Sequence, residues 1–217
     1  MIFYSIILAT LINQIAFKGS KVLMSLFAMR LGADPFLVGV LISLYSLFPL
    51  FIAVYAGRLS DRFGPRVPML LGSLGLTGGL VLPFLLPRLP ILLAAAAIIG
   101  CLYIFYTVSV QHLIGSFGDG EQRTRNFGTF SLGVAVSSML GPLLTGFVID
   151  LAGHRPTYLI LALFPLAPAV FLFLQGRQLP SEKAEMRQEE KETLDLLRNQ
   201  PLRRALHGPQ QLRHVRG

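Results

Sequence analysis

"GRLSDRFGPR", residues 57–66, joins two long apolar runs, and its reading decides the fold. Arg58, Asp61, Arg62 and Arg66 fall within it, whereas residues 36–56 before it and 67–87 after it hold no Asp, Glu, Lys or Arg. A run of about 20 apolar residues, at 1.5 Å rise, crosses a hydrocarbon core of about 30 Å. With no water there, such a run must be a helix that satisfies its own backbone. The quoted stretch is therefore the polar reversal between two membrane spans. Composition agrees: of 217 residues 53% are hydrophobic and 14% charged, with a mean hydropathy of +0.62, against about a quarter charged in a soluble domain.

Four more runs complete the pattern. The first covers 2–31 and is interrupted by Lys18 and Lys21; the others are 90–114, 127–149 and 156–174. The first lacks the basic start of a signal peptide and is too long for one. The expectation is an all-α membrane protein of six transmembrane helices over residues 1–175, followed by a tail of mixed charge over 176–217. In the tail, "SEKAEMRQEEKETLDLLRN", 181–199, predicts a solvated helix with Ser181 as its N-cap.

Orientation follows from Lys and Arg in the connections. One side holds Arg58, Arg62, Arg66, Arg123, Arg125 and the basic tail; the other holds Arg30, Arg88 and Arg155. The first side is expected in the cytoplasm, with both termini, in a cell (inner) membrane. The net charge of +8 is thus mostly a topology signal, and no nucleic-acid partner is expected, since the basic residues lie in short loops and a mixed-charge tail. Cys101 stands alone, so no disulfide within the chain is possible.

The stretch also has a second copy. "GFVIDLAGHR", 146–155, shares the pattern G-x-x-x-D-x-x-G-x-R: Gly57, Asp61, Gly64 and Arg66 match Gly146, Asp150, Gly153 and Arg155 at one constant offset, which Gly39 and Gly128 share. Each repeat, about 1–88 and 90–175, holds three spans, so the second must be inverted, a building principle of secondary transporters. Gly57 and Gly64 are expected to permit the close approach and positive φ of a tight reversal. Gly72, Gly75 and Gly79 on the third span, and Gly133, Ser137 and Gly141 on the fifth, predict close helix packing. Pro49, Pro142, Pro165 and Pro168 suggest kinks. His112 and His154 read as surface groups near helix ends. No metal, nucleotide or nucleophile pattern appears, so neither a cofactor nor an enzymatic activity is expected.

"GRLSDRFGPR" resembles the loop between the second and third helices of the major facilitator superfamily, a pattern of roughly G-x-L-a-D-R-x-G-R-[RK]. Gly57, Leu59, Asp61, Arg62, Gly64 and Arg66 fit it; Pro65 stands where Arg is common. "GVAVSSMLGPLLTGF" is similar to the Gly-Pro pattern of that family's fifth helix, with Gly133, Gly141, Pro142 and Gly146 in place. The resemblance implies half of the family's twelve-helix fold, two inverted three-helix repeats, and a gate role for the 57–66 motif: Asp61 would pair with Arg62 or Arg66, or dock on a helix of the other half. The arginine that drug/proton antiporters often carry in the fourth helix is missing; Ala96 lies about there. "NQPLRRAL", 199–206, looks like the approach to a seventh helix, but "HGPQQLRHVRG" follows. The resemblance thus implies an N-terminal half of a transporter whose partner is a missing C-terminal half or a second copy.

The first helix holds the candidate binding groups. Thr10, Gln14, Lys18, Lys21 and Ser25 lie on one helical face. Burying one such lysine costs about 2.5–3.5 kcal/mol, and no acidic residue lies inside another span, so both must face water, an anionic ligand or a partner. Snorkelling, or a helix break at Lys18-Gly19, is the bland alternative. In the resembling family the first and fourth helices line a central cavity, to which the fourth here offers Gly100, Tyr103, Thr107 and Gln111. The resulting expectation is a secondary transporter of a small, anionic solute working by alternating access, with Gln14, Lys18, Lys21, Tyr103 and Thr107 at its substrate. The other reading is a six-helix membrane protein that binds or scaffolds without transport, or an inactive fragment. Orientation is directly testable: in a Cys101→Ser background, a membrane-impermeant thiol reagent outside intact cells should miss Asp61→Cys and label His154→Cys, and the reverse pattern refutes the topology.

Overall fold

The computed structural model describes residues 2–117 and 120–175. Its six helices are α1 (Ile2–Arg30), α2 (Pro35–Phe63), α3 (Arg66–Leu85), α4 (Leu89–Gly115), α5 (Gly120–Ala152) and α6 (His154–Gln175), with no strand among the described residues. All six are long and apolar enough to cross a membrane. Large apolar side chains such as Phe36, Phe51, Met139 and Phe147 are exposed on the bundle surface, which is expected where the solvent is hydrocarbon. The tail, including the helix expected over 181–199, lies outside the described residues.

Polar residues flank the apolar runs without ending the helices. α2 continues through Phe63, so Gly57, Asp61 and Arg62 sit on its last turns rather than in a loop, and the reversal is Gly64-Pro65 alone. Arg and Leu are good helix formers and carry the helix past the apolar boundary. Gly64, at φ 76°, ends it, and its counterpart Gly153 takes φ 82°, a conformation that costs glycine nothing. Gly57 does not serve as expected: it is helical, and a Cβ there would meet nothing within 4 Å, as at Gly146. α5 likewise begins at Gly120, placing Arg123 and Arg125 in its first turns. α1 runs unbroken through Lys18-Gly19, which removes the helix-break alternative. α2, α5 and α6 continue through Pro49, Pro142, Pro165 and Pro168.

Within each three-helix repeat, helices that follow each other in sequence pack only lightly. α2 packs chiefly on α4, and its counterpart α5 chiefly on α1; α3 packs on α4 and α6. The two repeats therefore interlock. The small-residue stripes make the closest of these approaches. An added Cβ at Gly72 would fall 2.5 Å from the Tyr106 Cβ, and Gly75 and Gly79 similarly abut Leu102 and Ile99 of α4. On α5, a Cβ at Gly141 would fall 2.7 Å from the Ile15 carbonyl oxygen, and Gly133 faces Leu11. Ser137 Oγ donates to the Leu11 carbonyl at 3.3 Å. Gly19, which the sequence suggests only as a helix break, is the α1 side of this contact, against Thr145 and Gly141.

The last residue of the duplicated motif has a structural task in both copies. Arg66, at the start of α3, donates through Nε to the Leu172 carbonyl (3.1 Å) and through Nη2 to the Phe173 carbonyl (2.6 Å) at the end of α6. Arg155, at the start of α6, donates through Nε to the Phe84 carbonyl (2.8 Å) at the end of α3. Each guanidinium also lies over the ring of that Phe, at 6.0 and 5.2 Å. The last carbonyls of a helix have no partner within it, and a cation there also meets the negative end of the helix dipole. Antiparallel α3 and α6 are thus clasped reciprocally at both ends. Phe84 and Phe173 match at the offset of the motif itself.

Gly75→Val and Gly78→Val separate packing from propensity on one helix. Gly75 abuts Leu102, whereas Gly78 has nothing within 4 Å. Gly75→Val should destabilise the bundle by about 1–3 kcal/mol, read as a lower unfolding midpoint in detergent, while Gly78→Val stays near wild type. Equal midpoints would refute the close α3–α4 approach.

Candidate functional site

The polar stripe of α1 divides into a satisfied part and an open part. Thr10 is buried; its Oγ1 donates to the Ile6 carbonyl at 2.8 Å and lies 3.2 Å from the Tyr106 hydroxyl. Asn13, off the expected stripe, donates through Nδ2 to Ser73 Oγ at 2.7 Å. Gln14, 7% exposed, keeps an Oε1 without a protein partner, and so does the hydroxyl of Tyr103, 3% exposed. Lys18, Lys21 and Ser25 are half-buried. Ser25 Oγ turns back to the Lys21 carbonyl at 2.8 Å. Among the described residues no carboxylate comes within 4 Å of either lysine, and the one acid–base contact found is Asp61 with His112.

Aromatic rings surround Lys21. Its ammonium lies 4.9 Å from the Phe17 ring centroid and 5.2 Å from that of Tyr45. Phe17 stacks on Tyr103 at 4.0 Å with 10° between planes, and Tyr103 stacks offset on Tyr106 at 5.7 Å and 9°. Tyr45 meets Phe17 edge-on at 5.7 Å. Its hydroxyl donates to Met24 Sδ at 3.0 Å and lies 3.1 Å from Ser20 Oγ. A cation over a ring face is attracted by the ring quadrupole, so these faces partly replace the water that Lys21 has lost.

Of the α4 residues expected beside this stripe, Tyr103 reaches it. Thr107 Oγ1 donates instead to the Tyr103 carbonyl of its own helix at 3.2 Å, and Gln111 is exposed. Gly100 serves packing: a Cβ there would fall 2.7 Å from the Leu44 carbonyl oxygen. Phe17, Tyr45 and Tyr106 went unremarked in the sequence. Phe17 directly precedes Lys18, which is a signal in the sequence; Tyr45 is one of five rings in the apolar run 36–56 and carries none.

At the α2–α3 turn, Asp61 pairs with neither Arg62 nor Arg66. Its Oδ1 lies 3.6 Å from His112 Nδ1 at the end of α4, both side chains being more than half exposed. Arg62 covers Phe63 at 5.4 Å, and Arg66 is held by α6. At the opposite end, Arg30 Nη1 donates to His154 Nδ1 at 2.9 Å, and the His154 ring stacks on Phe27.

Six membrane-length helices in two inverted triplets, with polar groups on the first helix and a charged turn after the second, make half of a secondary-transporter architecture. That architecture belongs to membrane-transport proteins rather than enzymes. The chain belongs to the Major Facilitator Superfamily, whose sequence model matches residues 6–212. It is 35% identical over 118 residues to the class C tetracycline resistance protein of Escherichia coli, covering 54% of this chain and 30% of that protein. To the multidrug resistance protein MdtG of Proteus mirabilis it is 32% identical over 124 residues, 57% of this chain and 31% of that protein. The chain thus spans about a third of the length of the curated relatives it matches. Among solved structures, a peptide transporter POT in complex with sulfate superposes with a TM-score of 0.72 at 15% identity, covering 98% of this chain and 47% of that one. The POT family transporter PepTSo gives 0.71 at 17% identity, covering 82% and 38%. At such identities the likeness is one of fold.

Proposed function

We propose that this chain forms the N-terminal half of a secondary transporter that moves a small anionic solute across the inner membrane by alternating access, with both termini in the cytoplasm. A second six-helix half, or a second copy, would complete the cavity. The observation that carries the reading is the pair of half-buried lysines, Lys18 and Lys21, three residues apart on a membrane-spanning helix and without a carboxylate partner among the described residues. Two ammonium groups so placed are costly, and one anion offsets both. Gln14 and Tyr103 add uncommitted polar atoms beside them. Thr107 belongs to the same proposal with less support, since its hydroxyl is engaged within α4. The relatives are named for tetracycline and multidrug resistance, but Ala96, buried in α4, stands about where drug/proton antiporters often carry arginine; this weighs against proton-driven drug export.

Gly57, Asp61, Arg62, Gly64 and Arg66 form the proposed gate motif, in divided roles. Gly64 makes the turn, Arg66 ties α3 to α6, and Asp61, exposed beside His112, is left to meet the other half. In the intact transporter, Asp61→Asn should preserve membrane insertion while slowing transport; wild-type rates would leave Asp61 without a gate role. Lys18→Gln and Lys21→Gln should each lower the affinity for carboxylate or phosphate-ester solutes and spare neutral ones. Unchanged affinity for every anion tested, with transport intact, refutes the anionic-solute reading; lost transport with unchanged binding refutes it as well and makes the lysines coupling groups.

A further inference from the structure

We infer that the anion taken by the lysine site carries a flat aromatic ring, which stacks on Phe17 while its acidic group draws Lys21 off the rings it now covers. The inference rests on the anionic-solute reading and narrows it. Tyr106, Tyr103 and Phe17 form a column of stacked rings. At 4.0 Å, Tyr103 fills one face of Phe17, which leaves the other face for the Lys21 ammonium. Tyr45 stands edge-on beside it and offers its own face to the same ammonium. The mobile end of a lysine therefore occupies the corner where the next ring of the column would lie, with one ring below and another alongside, the two arrangements aromatic pairs prefer.

The chemistry of the corner selects among ligands. A carboxylate or phosphate attracts an ammonium more strongly than ring faces do, so an anion pulls Lys21 aside, toward Lys18, and uncovers Phe17. A saturated anion would leave that face covered only loosely; a planar ring covers it at stacking distance. A neutral ring has no charge with which to displace the ammonium. An organic cation, which ring faces would otherwise suit, is opposed by two like charges three residues apart. Independently of the rings, the Tyr103 hydroxyl, on the column itself, and Gln14 Oε1, about one turn before Phe17 on α1, each more than nine-tenths buried and without a partner among the described residues, provide one donor and one acceptor.

Three probes of one shape test this in the 217-residue chain reconstituted in lipid nanodiscs: 2-naphthoate, its saturated counterpart decahydro-2-naphthoate, and neutral 2-naphthamide. Binding is read by equilibrium dialysis, with empty nanodiscs subtracting partition into lipid. The naphthoate should bind roughly two- to tenfold more tightly than the saturated acid, the range expected of one aromatic pair. Phe17→Leu should remove that preference, so that the two acids bind alike, with a thermal unfolding midpoint near wild type reporting an intact fold; Phe17→Tyr should restore the preference. The Lys18→Gln/Lys21→Gln double variant should lose both acids. Equal wild-type affinity for the two acids, both lost in the double variant, overturns the aromatic inference and leaves the anionic reading standing. So does a naphthoate preference that survives Phe17→Leu. Naphthamide binding as tightly as naphthoate, with the double variant unaffected, overturns both.

Discussion

Backbone contact across glycine holds this bundle in its arrangement. Between helices in lipid the hydrophobic effect supplies no attraction, because the tails outside are as apolar as the side chains inside. What remains is dispersion at short range, which falls steeply with a gap of even half an ångström. The α3–α4 and α1–α5 contacts reach that range because Gly72, Gly75, Gly79, Gly19 and Gly141 remove the side chains that would keep the backbones apart. The polar face of α1 depends on the same contacts: with Gly19 pressed on α5, the register of Lys18 and Lys21 along the helix is set.

Much of the architecture was legible in the sequence, for one reason. The bilayer has a fixed thickness, so six runs of the right length translate directly into six helices, and the Gly-x-x-x-Asp-x-x-Gly-x-Arg duplication exposes the inverted repeat. Less legible were the helix ends. The apolar runs mark where hydrocarbon stops, not where the helix stops; α2 and α5 run past the boundary because Arg, Leu and Glu sustain a helix in water too. The partners of Arg66 are hidden from the same local view. Its partners, the carbonyls of Leu172 and Phe173, lie more than a hundred residues away, and backbone carbonyls leave no mark in a side-chain pattern.

The candidate site is legible on α1 and hardly at all elsewhere. A polar stripe on a greasy helix is conspicuous, since every member opposes its surroundings. The ring cluster beside it is not, because Phe17, Tyr45, Tyr103 and Tyr106 suit a membrane helix whether or not they meet. Gly100 shows the converse error: a small residue at a cavity-facing spacing was spent instead on the backbone of α2. His112 beside Asp61 belongs to the same class of contact, two ordinary helix-end residues joined only by the way α4 packs on α2.

The reciprocal arginines also bear on how this body can deform. Packed helices commonly accommodate change by shear, sliding along one another by small steps. Here any slide of α6 along α3 stretches the bonds of Arg66 at one end while displacing Arg155 from Phe84 at the other. Because the two ties sit at opposite ends of an antiparallel pair, translation strains both at once and neither can relax at the other's expense. Rotation of the whole six-helix body strains neither. The repeated motif therefore makes a strut as well as a symmetry, and rigid-body tilting is the motion that strains neither tie.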